Sequence, residues 1–152
     1  MTANGHQVVR LEFTSAFEML DFVQVVSDHV SRSIGMDEDA SHWISVAIRE
    51  SVINAIKHGN RHDASKRVFV EFETGPGEGS HDTPELKIRV RDQGEGFDPE
   101  QLEDPLAPEN LLKSSGRGIF LIRNFMDDVQ LQRAPEGGME IRMLKRVQPS
   151  GV

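Results

Sequence analysis

The segment between Trp43 and Ile56 constrains the fold of this chain more than any other feature. Its apolar residues surround most of the circumference of a helix, a pattern typical of a helix buried in a protein core. These residues are Trp43, Ile44, Val46, Ala47, Ile48, Val52, Ile53, Ala55 and Ile56. Three consecutive acidic residues, Asp37 to Asp39, place negative charge where it favours a helix N-terminus. We therefore predict a core helix that runs from this acidic segment to about His58.

The remaining periodic segments predict a sheet and two further helices. Apolar and polar residues alternate, as in half-buried strands, over five segments. These segments are Gln7–Phe13, Lys66–Glu73, Glu85–Asp92, Val129–Leu131 and Met139–Met143. Helical spacing runs from about Ser15, where Glu18 suits a capping box, to about Ile34, and it resumes after Gly118. This order of elements predicts an α/β (α+β) two-layer sandwich, with helices covering one face of the sheet.

Size and composition limit the possible classes of protein. The 152 residues, 37% of them hydrophobic, suit a single domain over residues 1–152, with an ordered core over roughly residues 7–146. A net charge of −8 disfavours direct binding of nucleic acid, because Lys and Arg supply most non-specific affinity for phosphates. The absence of cysteine excludes a disulfide framework and a cysteine nucleophile. Since no signal-like or membrane-spanning apolar run occurs, we expect a cytoplasmic protein with no membrane partner.

Three polar residues interrupt the apolar pattern of the core helix. Glu50, Asn54 and Lys57 follow one another at spacings of four and three, which places them on one face of a helix. Carboxylate and carboxamide oxygens can reach a hard cation such as Mg²⁺, directly or through its waters. The alternative is a solvated helix edge, on which Glu50 and Asn54 share a local hydrogen bond.

A second motif, Asp92-Gln-Gly94-Glu-Gly96-Phe97, follows a predicted strand. Glycines at alternate positions allow a backbone to approach a flat or charged ligand closely. A carboxylate at Asp92 can accept a hydrogen bond from an exocyclic amine, which favours adenine over guanine, while the glycines leave room for the ring. An ordinary turn after a strand is the alternative interpretation.

A third motif, Gly116-Arg117-Gly118, directly precedes the last predicted helix. Free amides and the positive end of the helix dipole favour phosphate there, and Arg117 can add a charge-assisted contact. A serine-glycine linker with a solvated arginine is the alternative. The preceding residues 98–116 carry prolines, acids and weak periodicity, which predicts a loop that could act as a lid.

The order of these motifs resembles that of the GHKL ATPases. Residues 50–60 resemble the N box, residues 92–97 the G1 box, and residues 116–118 the G2 box. Within that superfamily the chain is similar to anti-sigma factor serine-protein kinases of the RsbW type. The resemblance implies the Bergerat, or histidine kinase-like ATPase, fold, with a mixed and mostly antiparallel sheet, and it implies ATP and Mg²⁺ as cofactors.

The resemblance also implies roles for individual residues. Asn54 would hold Mg²⁺, Asp92 would recognise adenine, and the amides of residues 116–118 would contact phosphates. Glu50 would act as the base for a serine hydroxyl, which agrees with the need for a proton acceptor beside Mg·ATP. Lys57 can reach a phosphate and His58 can pack below it. A lone histidine at a helix end, however, is more often structural or solvent-facing.

The implied function combines an enzyme with a regulator. The chain would form a homodimer, sequester a sigma factor, and phosphorylate a serine on an anti-anti-sigma antagonist of the STAS type. One departure is Met139, which stands where the family often has a threonine that helps to bind adenine through water. The alternatives are therefore a non-catalytic GHKL module whose partner affinity is set by nucleotide, or the ATPase domain of a two-component-like regulator. No histidine pair has a spacing suited to zinc.

Overall fold

The computed structural model describes residues 6–77, 83–95 and 122–148. Within these ranges five strands form one sheet in the order β1-β2-β3-β5-β4. The strands are β1 (Gln7–Thr14), β2 (Arg67–Pro76), β3 (Pro84–Arg91), β4 (Asp128–Arg133) and β5 (Met139–Arg146). All four described pairings are antiparallel, so the described sheet contains none of the parallel pairing that a mixed sheet would have.

Two long helices follow the first strand, as predicted. A short 3₁₀ turn (Phe17–Met19) leads into α1 (Leu20–Ser33), and α2 (Glu38–Asn54) continues as a π turn (Ala55–Gly59). Asp37 caps α2, because its side chain accepts a hydrogen bond of 2.7 Å from the amide of Ala40. The predicted capping box is wrong: Ala16 precedes the 3₁₀ turn without a side-chain cap, and the buried Ser15 hydroxyl has no hydrogen-bond partner.

The core lies between the helices and one face of the sheet. Residues at every second position of β2, β3 and β5 are buried in one cluster with one side of α2, whereas Val46 and Ile53 are half-buried and Trp43 is exposed. The most deeply buried members include Ile44, Ile48, Val52, Ile56, Val70, Phe72, Leu86 and Ile88. The predicted two-layer arrangement is therefore confirmed, and α2 is its central helix.

Charged side chains occupy the other face of the sheet and pair across neighbouring strands. Arg10 donates to Glu71 at 2.6 Å between β1 and β2. Between β3 and β5, Arg89 pairs with Glu140, which is 1% exposed and also accepts from Arg142 at 2.9 Å. Such cross-strand pairs suit a face that none of the described helices covers.

The third predicted helix is described only in part. Residues 122–125 are helical, in agreement with the third predicted helix, whereas its start and the predicted loop at 98–116 lie outside the described residues. Among the described helices, none has the length and apolar character needed to cross a membrane.

Candidate functional site

Asp92 directly follows β3 and is buried, with 5% of its surface exposed. Its Oδ1 accepts hydrogen bonds from the amides of Gly94 at 2.9 Å and Met139 at 3.1 Å. Its Oδ2 accepts none from the described residues. Burial raises the pKa of this carboxyl, although the two amide hydrogen bonds act in the opposite direction. Asp92 therefore presents a second carboxylate oxygen, Oδ2, that has no donor among the described residues.

Three glycines surround this carboxylate, and each is too close to its neighbour to carry a side chain. A Cβ at Gly59 would overlap the Asp92 carboxylate, and one at Gly94 would overlap the carbonyl of Gly59. A Cβ at Gly138 would overlap the carbonyl of Asp92. The motif prediction included Gly94, but Gly59 and Gly138 were missed, because their contacts with Asp92 span 33 and 46 positions of sequence.

Met139, the first residue of β5, contacts Asp92 through its backbone. The Asp92 amide donates to the Met139 carbonyl at 3.0 Å, and the Met139 amide donates back to Oδ1. The Met139 side chain is buried but does not belong to the main core cluster. The thioether is only a weak hydrogen-bond acceptor, so the backbone supplies the polar contacts at this position.

The C-terminal part of α2 presents the second half of the candidate site. Glu50 and Asn54 lie one turn apart within the regular helix, and both are half-buried. Neither side chain forms a hydrogen bond or ion pair with another described residue. No described residue therefore occupies either group, and the local hydrogen bond between them, which was the alternative interpretation, does not form.

The π turn changes the geometry of the next residues. The Asn60 amide donates to the Ala55 carbonyl at 2.7 Å, which is the five-residue hydrogen bond of a π turn. Lys57 and His58 lie in this turn and are exposed, so the spacing of a regular α-helix does not apply to Lys57. Partial burial, followed by the charges of Lys57 and His62, lowers the pKa of His58. His58 is thus favoured as a neutral imidazole at neutral pH.

The remaining predicted residues, Gly96, Gly116, Arg117 and Gly118, lie outside the described residues. Asn60 is fully buried, and no individual role was predicted for it. An asparagine directly after a helix-ending glycine could have indicated a side chain that hydrogen-bonds to nearby backbone, because a polar group buried there is expected to be hydrogen-bonded.

The chemistry of Asp92 suits a ligand with an N–H donor. Three glycines pack closely around this residue, and Oδ2, which has no donor among the described residues, can accept from an exocyclic amine. Asn54 offers a single neutral oxygen, and the described residues contain no group of three His, Asp or Glu side chains that could hold a metal ion. A cation at Asn54 would therefore take most of its ligands from a bound phosphate chain and water, as Mg²⁺ commonly does.

Comparisons with known proteins agree with this description. Residues 13–145 match the family described as the histidine kinase-like ATPase domain. The anti-sigma F factor of Oceanobacillus iheyensis is 31% identical over 144 residues, which cover 92% of each chain. The anti-sigma F factor of Bacillus subtilis is 29% identical and covers 93% of this chain and 94% of its own. The serine-protein kinase RsbW of Staphylococcus epidermidis is 26% identical over 95% of this chain and 89% of its own.

Proposed function

Because the chain belongs to the histidine kinase-like ATPase family, we propose that it is an ATP-dependent protein serine kinase that also acts as an anti-sigma factor. The single observation that carries this proposal is the Asp92 carboxylate, packed among three glycines, whose Oδ2 has no donor among the described residues. The exocyclic amine of adenine donates to that oxygen. Guanine presents a carbonyl oxygen at the same position of the ring, which the carboxylate disfavours.

The other predicted residues complete the nucleotide site. Asn54 would hold Mg²⁺ through its side-chain oxygen, and Gly94 and Gly96 would let the backbone turn close to the base. The phosphate contacts come from Lys57, His58, Gly116, Arg117 and Gly118. Mg·ATP, when bound in this site, supplies the phosphoryl group that is transferred.

Glu50 is the catalytic base in this proposal. It is half-buried, lies one helical turn before Asn54, and has no hydrogen-bond partner among the described residues. Its carboxylate accepts the proton of the substrate serine hydroxyl, and the serine oxygen becomes the nucleophile. The short separation along α2 keeps this acceptor beside the residue that holds the cation.

The proposed partners follow from the names of the relatives. Two of them are anti-sigma F factors and one is a serine-protein kinase. By analogy, this chain sequesters a sigma factor in the cytoplasm as a homodimer. It phosphorylates a serine on an anti-anti-sigma protein with a STAS domain, which is its antagonist.

The experiment mixes the purified protein with Mg·[γ-³²P]ATP and candidate STAS-domain proteins encoded by the same organism. We expect label on a serine of one candidate, with a dependence on Mg²⁺. If the protein binds ATP but labels none of the candidates, the kinase proposal is wrong.

Glu50→Ala tests the assignment of the base. This variant should bind ATP as the wild type does and should transfer no label, because only the proton acceptor is removed. Glu73→Ala is the matched control, since Glu73 lies on the sheet face opposite the helices and pairs with His6. Wild-type transfer by Glu50→Ala would show that another group removes the proton.

Met139 favours a second candidate function, a non-catalytic module whose nucleotide sets its affinity for a partner. Met139 contacts Asp92 through its backbone, and its thioether is only a weak acceptor, which favours loose binding of the base. In that case ATP would change the affinity for a sigma factor in a pull-down titration, although no label is transferred.

A further inference from the structure

A closed ring of hydrogen bonds joins three separate parts of the chain beside Asp92. Asn60, which is fully buried, donates through Nδ2 to the Arg67 carbonyl at 3.0 Å and accepts at Oδ1 from the Gln93 amide at 2.8 Å. The Gln93 side chain closes the ring, because its Oε1 accepts from the Arg67 amide at 2.7 Å. The end of the π turn, the start of β2 and the residue after Asp92 are thus fixed to one another. We call these three residues the clasp.

The backbone around Asn60 is itself tightly held. Its amide closes the π turn on Ala55, and its carbonyl accepts from the amide of Asp63 at 3.0 Å. The two residues that follow, Arg61 and His62, have φ values of 53° and 60°, which non-glycine residues rarely adopt. Backbone strain of this kind persists only where the surrounding structure holds it, and it is concentrated at functional sites.

The position of Gln93 explains what the clasp does. The peptide held by Asn60 joins Asp92 to Gln93, and the amide of the next peptide, that of Gly94, is one of the two donors to Oδ1 of Asp92. If the backbone at Gln93 shifted, the Gly94 amide would leave Oδ1, and only the Met139 amide would still hold that oxygen. The clasp therefore keeps Oδ1 occupied by the backbone and Oδ2 available.

We infer that Asn60 and Gln93 are positioning residues for base recognition, since the clasp fixes the orientation of the Asp92 carboxylate that selects adenine. This inference rests on the proposed nucleotide site. The backbone around Asp92 is also connected to the end of α2 that carries Asn54, because Asn60 donates to the Ala55 carbonyl in the π turn. A ring that served the fold alone would affect the stability of the protein without affecting its choice of base.

The test uses Gln93, whose side chain is exposed and can be changed without creating a buried cavity. Gln93→Ala removes the acceptor for the Arg67 amide, whereas Gln93→Glu retains one. Calorimetry compares Mg·ATP with Mg·ITP, in which a carbonyl oxygen replaces the exocyclic amine. The affinity ratio of the two nucleotides cancels any general effect of the added charge, because both ligands carry the same phosphates.

We expect the wild type to prefer ATP, Gln93→Ala to reduce that preference roughly threefold to tenfold, and Gln93→Glu to restore most of it. Gln130→Ala, at an exposed glutamine of β4, should leave the preference unchanged. A wild-type preference in Gln93→Ala would overturn the positioning role and leave the nucleotide site standing. A wild type that binds ATP and ITP equally would overturn base recognition by Asp92 itself.

Discussion

At the scale of single residues, Asp92 occupies a position that costs the fold stability. An ionised carboxylate is unfavourable in a buried place, and only one of its two oxygens is hydrogen-bonded to described residues. Burial raises its pKa, so the folded state binds a proton more tightly than the unfolded state does. A group of this kind lowers stability as the pH rises through the interval above its ordinary value of 3.8. Such a cost is common where a residue serves binding.

Asp92→Asn should separate stability from binding. The amide oxygen can still accept from Gly94 and Met139, while the buried negative charge is removed. We expect the free energy of unfolding in urea at pH 7 to equal or exceed that of the wild type, with the advantage shrinking toward pH 3. ATP affinity in calorimetry should fall about tenfold or more, because a charged acceptor is lost. A less stable variant that binds ATP normally would contradict this account.

Asn54 should matter for the cation rather than for the base. Asn54→Ala removes the side-chain oxygen proposed for Mg²⁺, so ATP affinity should lose its dependence on Mg²⁺ in calorimetric titrations with and without the ion. Asn54→Asp keeps an oxygen at the same place and should retain that dependence. Unchanged Mg·ATP affinity in Asn54→Ala would exclude the residue as a ligand.

The sequence predicted only some of the residues of the site. Glu50 and Asn54 could be identified because they interrupt an apolar helix, and Asp92 because it stands before alternating glycines. Gly59 and Asn60 could not be assigned their partners. Their contacts depend on how the end of α2 packs against the residues after β3, and sequence periodicity does not report such packing.

At the scale of elements, the end of α2 also has a geometry that sequence periodicity could not predict. Apolar spacing correctly predicted a helix to about His58, but not that the last turn is a π turn. That turn is closed by the hydrogen bond from Asn60 to Ala55, and Asn60 is held in turn by Arg67 and Gln93. Tertiary contacts therefore decide the local geometry, and the predicted alignment of Lys57 with Glu50 does not account for them.

The turn between β4 and β5 offers a matched pair of glycines. Both have positive φ, 105° at Gly137 and 84° at Gly138, a conformation that favours glycine. A Cβ at Gly137 meets no atom, whereas one at Gly138 overlaps the Asp92 carbonyl. Gly137→Ala should cost about 1 kcal/mol of unfolding free energy through backbone strain alone. Gly138→Ala should cost roughly 1–3 kcal/mol more.

Urea denaturation of both variants measures this difference, and calorimetry with ATP gives a second readout. Gly138→Ala should also weaken ATP binding, because the displaced backbone carries Asp92. Equal losses of stability in the two variants would show that the close approach of Gly138 to Asp92 has no energetic consequence.

At the scale of the whole molecule, the two faces of the sheet differ in polarity and in packing. One face packs against the helices, and the other carries paired charges around Glu140, which accepts from Arg89, Arg142 and Gln132. Burial alone would raise the pKa of Glu140, but these hydrogen bonds lower it on balance. The two-residue alternation predicted which residues share a face. The alternation could not predict that Glu140 would be buried among arginines on the face opposite the described helices.

Glu140→Gln should therefore destabilise the protein in a pH-dependent way. The lowered pKa means that Glu140 contributes stability above its ordinary value of 4.5, and this contribution is lost as the pH falls through the folded value. We expect a loss of roughly 3 kcal/mol at pH 7, which shrinks under acid conditions. Urea denaturation across pH 3 to 7 checks this.

Glu12→Gln is the control, because its pair with Arg67 is about half exposed on both sides and should contribute under about 1 kcal/mol. If the two variants lost the same free energy of unfolding at pH 7, the burial of Glu140 would not increase its contribution to stability. A loss that persisted undiminished at low pH would contradict the role of its charge.

The most direct test of the whole account is a calorimetric titration of the wild-type protein with Mg·ATP and Mg·GTP. The Asp92 carboxylate and the three glycines around it predict one saturable ATP site per chain, with GTP bound at least roughly tenfold more weakly. Absence of saturable ATP binding, or equal affinity for the two nucleotides, would contradict the central claim.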